Sequence, residues 1–392
     1  MVQALVDQFD ASFQPGPSQR WVERRHLEIT GLFGSLHIHR DYYVQDHRGH
    51  CPADAALALE GSYTPALARM MYRSAAKNSY VEASEDLFEY AGVKVCDRQI
   101  QRLVQEVAPA VGPWLKTLPV QAATGLMYVS GDGTGVPMRK EFLVGRKGKQ
   151  PDGSAKTREA KLGCVFLQTT VDEKGHPIRL EDSTSYIGSF EGAPEFGLLL
   201  RQEAQRRGMA HASKIIFIGD GAAWIWELTR VNFPGAILIL DFYHALQHLH
   251  GLIDAIWGKE TVEAKKHSKL WKGWLLKDKA GKVVEQAKAQ LERSLDTEKA
   301  GKEIGYLENN LERMTYGTFR QAGYFIGSGV VEAGCKTVIG KRMKSSGMFW
   351  SEEGGQGMLD LRCAFLSDRL NPFCQARTAD HAARNDSLRF AA

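Results

Sequence analysis

Three acidic residues of the chain stand in settings that suit metal-assisted phosphate chemistry. Asp132 and Asp220 each lie between two glycines, and Asp220 directly follows the apolar run 214–218. An open α/β sheet usually places its ligands at the carboxyl ends of its strands. The third acid, Glu332, lies in a helical pattern one turn before Lys336. A carboxylate beside cations suits a metal site that faces a phosphodiester.

Each of these acids also has an ordinary structural explanation. Asp-Gly is a common turn dipeptide, so either aspartate could cap a turn or a helix. Glu332 and Lys336 could form an i, i+4 pair on a solvated helix. The repetition of Gly-Asp-Gly around Asp132 and Asp220 favours a shared site, provided that the fold makes these two positions neighbours.

The order of the predicted elements makes them neighbours. The predicted strands begin at residue 126 and cover 160–170, 178–187, 214–218 and 236–241, and predicted helices cover 194–207 and follow 222. The first predicted strands would pair antiparallel, the later ones would pair parallel, and helices would cover both faces of the sheet. This order of elements is that of the ribonuclease-H-like α/β fold. In such a mixed sheet the first strand lies beside the fourth, which would bring Asp132 to Asp220.

A second pair of residues follows the predicted fifth strand. Asp241 ends that strand, His244 lies three residues later, and His248 lies one helical turn beyond His244. Histidines at i and i+4 can bind a metal, but beside an apolar face they more often pack or form local hydrogen bonds. We therefore favour an orienting role for Asp241 and His244 and keep direct metal ligation as the alternative.

The amino-terminal region holds histidines that invite comparison with a zinc site. The residues concerned are His37, His39, His47, His50 and Cys51. Structural zinc sites usually pair their ligands at short regular spacings, and only one thiolate is available here. Ordinary solvated or core histidines are the preferred interpretation, and a zinc site near His47, His50 and Cys51 is the alternative.

Two helical regions are candidates for contact with nucleic acid. Residues 62–110 predict three helices with a glycine turn at Gly92, and Arg98, Gln99 and Arg102 fall on the early exposed turns of the third helix, as in a helix-turn-helix. Residues 246–325 predict a helical insertion in which tryptophans alternate with lysines. Both regions could equally be helical bundles with solvated charges and core tryptophans.

The chain resembles a known family at several short segments: 131–137, 219–224, 241–244, 327–336 and 346–351. Together they are similar to bacterial insertion-sequence transposases of the DDE superfamily, in particular to the Kra-type insertion-sequence family, whose branch carries a helical insertion before the last acid. The resemblance covers roughly residues 30–370. It implies that Asp132, Asp220 and Glu332 are the catalytic, metal-binding acids and that Asp241 and His244 are an accessory D-x-x-H pair.

This resemblance implies an enzyme that cleaves DNA strands and transfers them at the ends of an insertion sequence. Two Mg²⁺ ions, with Mn²⁺ as a substitute, would be the cofactors, because paired divalent ions serve both the attacking and the leaving oxygen. The implied partners are double-stranded DNA, as terminal inverted repeats and as target, and a homodimer or larger assembly. The predicted DNA contacts are Arg98, Gln99, Arg102, Lys336, Lys341, Arg342, Lys344 and Trp350.

Composition is compatible with these expectations. The net charge is +4, the six cysteines form no CxxC pair, and no apolar run is long enough to span a bilayer, so a cytoplasmic, nucleoid-associated protein without a membrane partner is expected. The predicted domain bounds are an amino-terminal region with a candidate degenerate zinc-ribbon-like element (1–60), a helix-turn-helix-like domain (61–115), a catalytic domain (120–245 and 326–370), the insertion (246–325) and a tail (371–392).

Two rival functions stay open at this point. A transposase-derived, sequence-specific DNA-binding regulator would carry the same acids without using them. A carboxylate-pair hydrolase such as a glycosidase would need two acids roughly 5 to 10 Å apart and no metal. The basic insertion counts against the second rival, since a neutral sugar substrate gives no reason for it.

Overall fold

The computed structural model describes residues 2–122, 124–148, 150 and 153–390, with side chains up to residue 380. The chain forms two compact units. The first combines Met1–Thr117 with Glu353–Ala392, and the second is Leu118–Glu352. Residues 353–370, which the sequence assigned to the catalytic domain, therefore group with the amino-terminal unit. In the part of the chain that the structure describes, no helix has the length and apolar character needed to cross a bilayer.

The first unit contains a three-stranded antiparallel sheet and several helices. Its strands are β1 (Arg20–Gly31), β2 (Gly34–Gln45) and β3 (Arg48–His50). Its helices are Val2–Ser12, Pro52–Ala56, Pro65–Lys77, Tyr80–Ala91, Asp97–Val107, Val111–Leu115, Glu352–Leu366 and Leu370–Phe390. Ile29 and Ile38 pack with Val6 in a small core, so one face of the sheet is buried. The predicted carboxyl-terminal tail is a helix through Phe390.

The three helices predicted over residues 62–110 are present, and their ends follow local signals. Ser79 and Glu82 form a capping box at the start of Tyr80–Ala91. Gly92, with φ 66°, ends that helix in the left-handed conformation that glycine adopts at little cost. The next helix, Asp97–Val107, buries Ile100 and the other members of its apolar stripe.

The second unit is built on a mixed sheet. Its strands are β4 (Leu126–Pro137), β5 (Thr157–Val171), β6 (Pro177–Arg179), β7 (Ser185–Ser189), β8 (Lys214–Gly219) and β9 (Ile237–Leu240). The order is β6-β5-β4-β8-β9, and β7 also pairs with β5. β4, β8 and β9 run parallel to one another, whereas β5 runs antiparallel to β4, β6 and β7. The single strand predicted over 178–187 is two short strands, β6 and β7.

Helices cover both faces of this sheet, as the alternation of side chains along β4 makes plain. Met127 and Val129 point to the face covered by the helices Ala193–Arg206 and Ala223–Asn232. Tyr128 points to the opposite face, where the helix Phe242–Trp257 and the insertion pack. The predicted mixed α/β sheet with helices on both sides is confirmed.

The insertion is helical and shares its core with the sheet. After Phe242–Trp257 its helices are Val262–Leu275, Ala280–Gln290, Thr297–Glu308 and Tyr316–Gln321. Trp271 has no exposed surface and packs in the cluster that covers the sheet, so it is a core residue and not a platform for stacking bases.

Candidate active site

Asp132 and Asp220 meet where β4 continues beyond the end of β8. The last parallel pair of these strands is Ser130 opposite Ile218, and the Ser130 hydroxyl donates to the Ile218 carbonyl at 2.7 Å. Asp132 follows two residues later on the same face as Ser130. Asp220 follows β8 directly, and its charge acts on Asp132. The structure thus brings together the two aspartates that the sequence predicted as neighbours.

A tyrosine from the insertion holds the turn that carries Asp220. Gly221 has φ +94°, and a Cβ at this position would lie 2.6 Å from the Tyr306 hydroxyl oxygen. That hydroxyl donates a hydrogen bond of 2.6 Å to the Asp220 carbonyl, and the Tyr306 ring stacks on His248 at 3.5 Å. Burial raises the pKa of Tyr306, which keeps the phenol protonated as a donor. Only glycine at 221 leaves room for this contact.

Glu332 lies on a helix that packs against β4. The helix Gly329–Gly334 continues into a π-helical segment, Cys335–Gly340, and such segments are frequent at functional sites. The Cys335 thiol hydrogen-bonds to the Asp132 carboxylate, one helical turn after Glu332. The third predicted acid therefore lies on the same side of the sheet as the two aspartates.

Asp241 joins the sheet to the segment that carries Glu332. It has no exposed surface, and its Oδ1 accepts a hydrogen bond of 2.7 Å from the backbone N–H of His244, which caps the helix Phe242–Trp257. Its Oδ2 accepts from the backbone N–H of Ser328, and the Ser328 hydroxyl lies 3.4 Å from Glu332 Oε1. One buried carboxylate therefore fixes where two helices begin.

His244 lies among the acids, and its Nδ1 makes no hydrogen bond of normal geometry with the described residues. Its Nδ1 is 3.4 Å from Asp241 Oδ1 and 3.4 Å from Glu332 Oε1, and it is buried without meeting hydrogen-bond geometry to either. Asp241, His244 and Glu332 each place a ligand atom within 4.8 Å of the others. Both predicted accessory residues are thus at the site, and His244 contacts one of the predicted catalytic acids.

The charges of the cluster shift the pKa values of its members. Burial raises the pKa of Asp132, hydrogen bonds from Cys335 and Gly133 oppose that rise, and the charge of Asp220 adds to it. Contact with Asp241 raises the pKa of His244, burial opposes this, and the charges of Asp220 and Glu332 add to it. Burial also opposes ionisation of Asp241, but its hydrogen bonds prevail and its pKa is lowered. Negative charge is therefore concentrated here in a partly desolvated place.

Six of the eight predicted DNA contacts are exposed. On the helix Asp97–Val107 these are Arg98, Gln99 and Arg102, although the Gln99 side chain accepts from the Cys96 N–H at 3.0 Å and so caps its own helix. In the second unit the exposed ones are Lys336, Lys341 and Lys344. The Lys344 ammonium donates to the Thr134 hydroxyl, two residues beyond Asp132. Lys344 is therefore the predicted DNA contact that lies beside the acids.

The remaining two predicted contacts require correction. Arg342 is 1% exposed, Trp350 is 9% exposed, and the guanidinium of Arg342 lies 5.3 Å from the centre of the Trp350 ring. The Trp350 ring N–H donates to the Met343 carbonyl at 3.0 Å. These side chains support the packing behind the Glu332 helix and do not reach a DNA ligand.

The insertion presents exposed lysines around a groove. A cavity of about 640 Å³ lies between the helices Phe242–Trp257 and Val262–Leu275. Its lysines are Lys259, Lys265, Lys269 and Lys272, all exposed. Asp254 and Glu260 also line it, and Glu260 pairs with Lys265 at 3.0 Å. The groove is therefore positive on balance.

Sequence reasoning missed three residues that support the site: Ser328, Tyr306 and Cys335. Cys335 had a usable signal, because it follows Glu332 by three residues and so shares its side of a helix. Ser328 lies just before the predicted helix, in a normal capping position, but nothing in the sequence links it to Asp241. Tyr306 has no local signal, since it reaches Asp220 only through the fold of the insertion.

A comparison with models of protein families gives one match. The family described as "Uncharacterised protein family (UPF0236)" matches residues 1–370. The chain belongs to this family. The matched residues include the acidic cluster, the insertion and most of the amino-terminal unit. The family description assigns no reaction to them. No curated protein matches the chain.

Proposed function

We propose that the chain is a DNA transposase of the DDE type, a polynucleotidyl transferase that cleaves strands at the ends of an insertion sequence and joins them to target DNA. The observation that carries the proposal is that Asp132, Asp220 and Glu332, from three separate segments, lie near enough to His244 at one edge of the sheet for their charges to interact with it or with one another. Asp132 and Asp220 each accept a local backbone hydrogen bond, from Gly133 and from Ala222, but such turn bonds alone give no reason for the three acids to lie together.

The topology supports the same proposal. Three strands pair antiparallel in a meander, and β8 and β9 then extend the sheet in parallel with β4. This is the arrangement expected of a ribonuclease-H-like domain, in which the first and fourth strands deliver the first two acids to one edge. The helical insertion lies between Asp241 and the third acid, as in the transposase branch that the sequence resembles.

The residues fit the divalent ions that this reaction needs. Asp132, Asp220 and Glu332 would hold two Mg²⁺ ions, or Mn²⁺ in their place, because Mg²⁺ prefers carboxylate oxygens and retains several waters. Two features of the residues fit such ions: the charge of Asp220 acts on Asp132, and Glu332 places a ligand atom within 4.8 Å of ligand atoms of His244 and Asp241. When bound, such ions activate the attacking oxygen and stabilise the leaving oxygen.

The proposed reaction has two displacements at phosphorus. Water attacks the phosphodiester at the end of the element, the bond to the 3′ oxygen breaks, and a 3′-hydroxyl is freed. That 3′ oxygen then attacks a phosphodiester of the target, whose own 3′ oxygen leaves. No covalent intermediate with the protein is needed, so the reaction requires no activated serine or tyrosine.

The residues around the acids have positioning and binding roles in this proposal. Asp241 fixes the start of the Glu332 segment, and His244, with its raised pKa, balances part of the negative charge beside Glu332. Lys344 and the lysine groove of the insertion would hold DNA phosphates. A homodimer or larger assembly would hold two DNA ends at once.

Metal removal tests this proposal. The purified chain is incubated with end-labelled duplex DNA that carries both flanks of its own gene, with Mg²⁺, with Mn²⁺ or with a chelator. We expect nicked and joined products with either ion, none with the chelator, and recovery when Mg²⁺ is restored. DNA binding without cleavage under every condition would contradict the proposal and favour a regulator. Cleavage that survives the chelator would contradict the metal mechanism.

A further inference from the structure

Three histidines lie together on the exposed face of the amino-terminal sheet. His26 on β1 is directly opposite His39 on β2, and His37 is two residues before His39, opposite Glu28. Residues directly opposite in an antiparallel pair share a face, as do residues two apart on one strand. All three imidazoles therefore project from one face of the hairpin, and all three are exposed.

The imidazole rings already contact one another. His26 Nε2 lies 3.0 Å from His37 Nδ1, and the two rings stack with centroids 5.1 Å apart. The His39 ring centroid is 5.3 Å from that of His26. The contact between the His26 and His37 ring nitrogens places two potential metal ligands beside each other.

The backbone beneath the rings is held firmly. The side chain of Gln3 accepts from the His39 N–H at 2.8 Å and donates to the His39 carbonyl at 2.9 Å, and Arg24 donates to the same carbonyl at 2.8 Å. On the other face of the hairpin, Ile29 and Ile38 are buried in the core. The strand positions are thus fixed, so metal binding would require movement of the imidazole side chains alone.

We propose that His26, His37 and His39 bind one first-row transition-metal ion of the Zn²⁺ type. Imidazole suits Zn²⁺, Cu²⁺ and Ni²⁺, whereas Mg²⁺ prefers oxygen, so this site is chemically distinct from the acidic cluster. Three histidines leave a fourth tetrahedral position for water or for the carboxylate of Glu28. The inference does not depend on the proposed transposase activity.

Binding requires a small rearrangement of side chains. Among the residues described, the group of three whose ligand atoms already lie within 4.8 Å of one another is Asp241, His244 and Glu332, not the histidines of the hairpin. The contact between His26 and His37 must open so that both nitrogens and one from His39 converge. Exposed rings change rotamer readily, and the fixed strand positions keep them within reach.

The sequence suggested a zinc site near His47, His50 and Cys51, but these residues do not form a comparable cluster of rings. His47 lies at the turn between β2 and β3 with φ 63°, and His50 Nε2 lies 3.4 Å from the Gln19 amide. Burial raises the pKa of Cys51, which disfavours the thiolate that binds zinc. The structure therefore moves the candidate site from the turn to the middle of the hairpin.

Metal titration of the untagged, full-length chain tests the inference. After chelation and dialysis, Zn²⁺ is titrated calorimetrically and Co²⁺ is followed by its visible absorption, with Mg²⁺ in excess to fill the acidic cluster. We expect about one equivalent of saturable Zn²⁺ and a tetrahedral Co²⁺ spectrum. His26→Gln, His37→Gln and His39→Gln should each abolish both signals.

Two control variants make the outcome decisive. His47→Asn removes an exposed histidine at a left-handed position that asparagine tolerates, and Glu332→Gln alters the acidic cluster; both should keep the signals. Unchanged circular dichroism will confirm that the hairpin variants fold. No saturable binding, or binding lost in Glu332→Gln and kept in the hairpin variants, would overturn the inference.

Discussion

Replacing Asp132 with asparagine is expected to reduce strand cleavage and strand transfer about 10³-fold or more. The substitution keeps the shape of the side chain but removes a charge that lies in a half-buried position, where the charge of Asp220 acts on it. Loss of a metal-binding carboxylate costs several kcal/mol of transition-state stabilisation, and about 4 kcal/mol corresponds to that factor. Asp220→Asn should have an effect of the same order.

The measurement is single-turnover cleavage of end DNA, together with binding of the same DNA in a gel-shift assay. DNA binding should persist in both variants, because the lysines that would hold phosphates are untouched. Glu173→Gln is a matched control, since it removes one exposed negative charge from the same unit. Near-normal cleavage by Asp132→Asn would show that this carboxylate does not hold the ion.

Asp241→Asn is expected to lower the turnover number about 10- to 100-fold with little change in the KM for DNA. The His244 N–H and the Ser328 N–H donate to different oxygens of Asp241, and asparagine replaces one of these oxygens with an NH2 group that faces a donor. The start of the Glu332 segment would then shift. The free energy of unfolding should fall by about 1 to 3 kcal/mol.

A purely structural role for Asp241 would give a different result. In that case stability would fall, but the turnover number of the folded protein would be kept at low temperature. Asp296→Asn is the control, because Asp296 caps the helix Thr297–Glu308 without any bond to the Glu332 segment, and asparagine caps equally well. This control should change neither quantity.

The neighbourhood of Asp132 and Asp220 could be predicted because its signals are local. An apolar run followed by Gly-Asp-Gly predicts a strand end, and the order of the elements places two such ends together. The sequence did not predict that β4 runs on through the Gly-Asp-Gly segment to Pro137. A Cβ at Gly133 would lie 2.6 Å from the Glu159 carboxylate on β5, so any larger residue there would displace that side chain.

The contacts that position Glu332 could not be predicted, because each joins segments distant in the sequence. The bond from Ser328 to Asp241 depends on how the insertion returns the chain to the sheet. The burial of Arg342 was predictable in principle, since it follows Val338 by four residues and Ile339 by three on one side of a helix. Its positive charge suggested DNA binding, although its helical position indicates packing.

The most direct test of the central claim is to locate a bound Mn²⁺ ion by anomalous diffraction from crystals soaked in Mn²⁺. The account predicts an anomalous peak within coordination distance, about 2 to 2.3 Å, of carboxylate oxygens from both Asp132 and Asp220, with Glu332 completing the site. A peak confined to Asp241 and His244, or no peak beside Asp132, would contradict it.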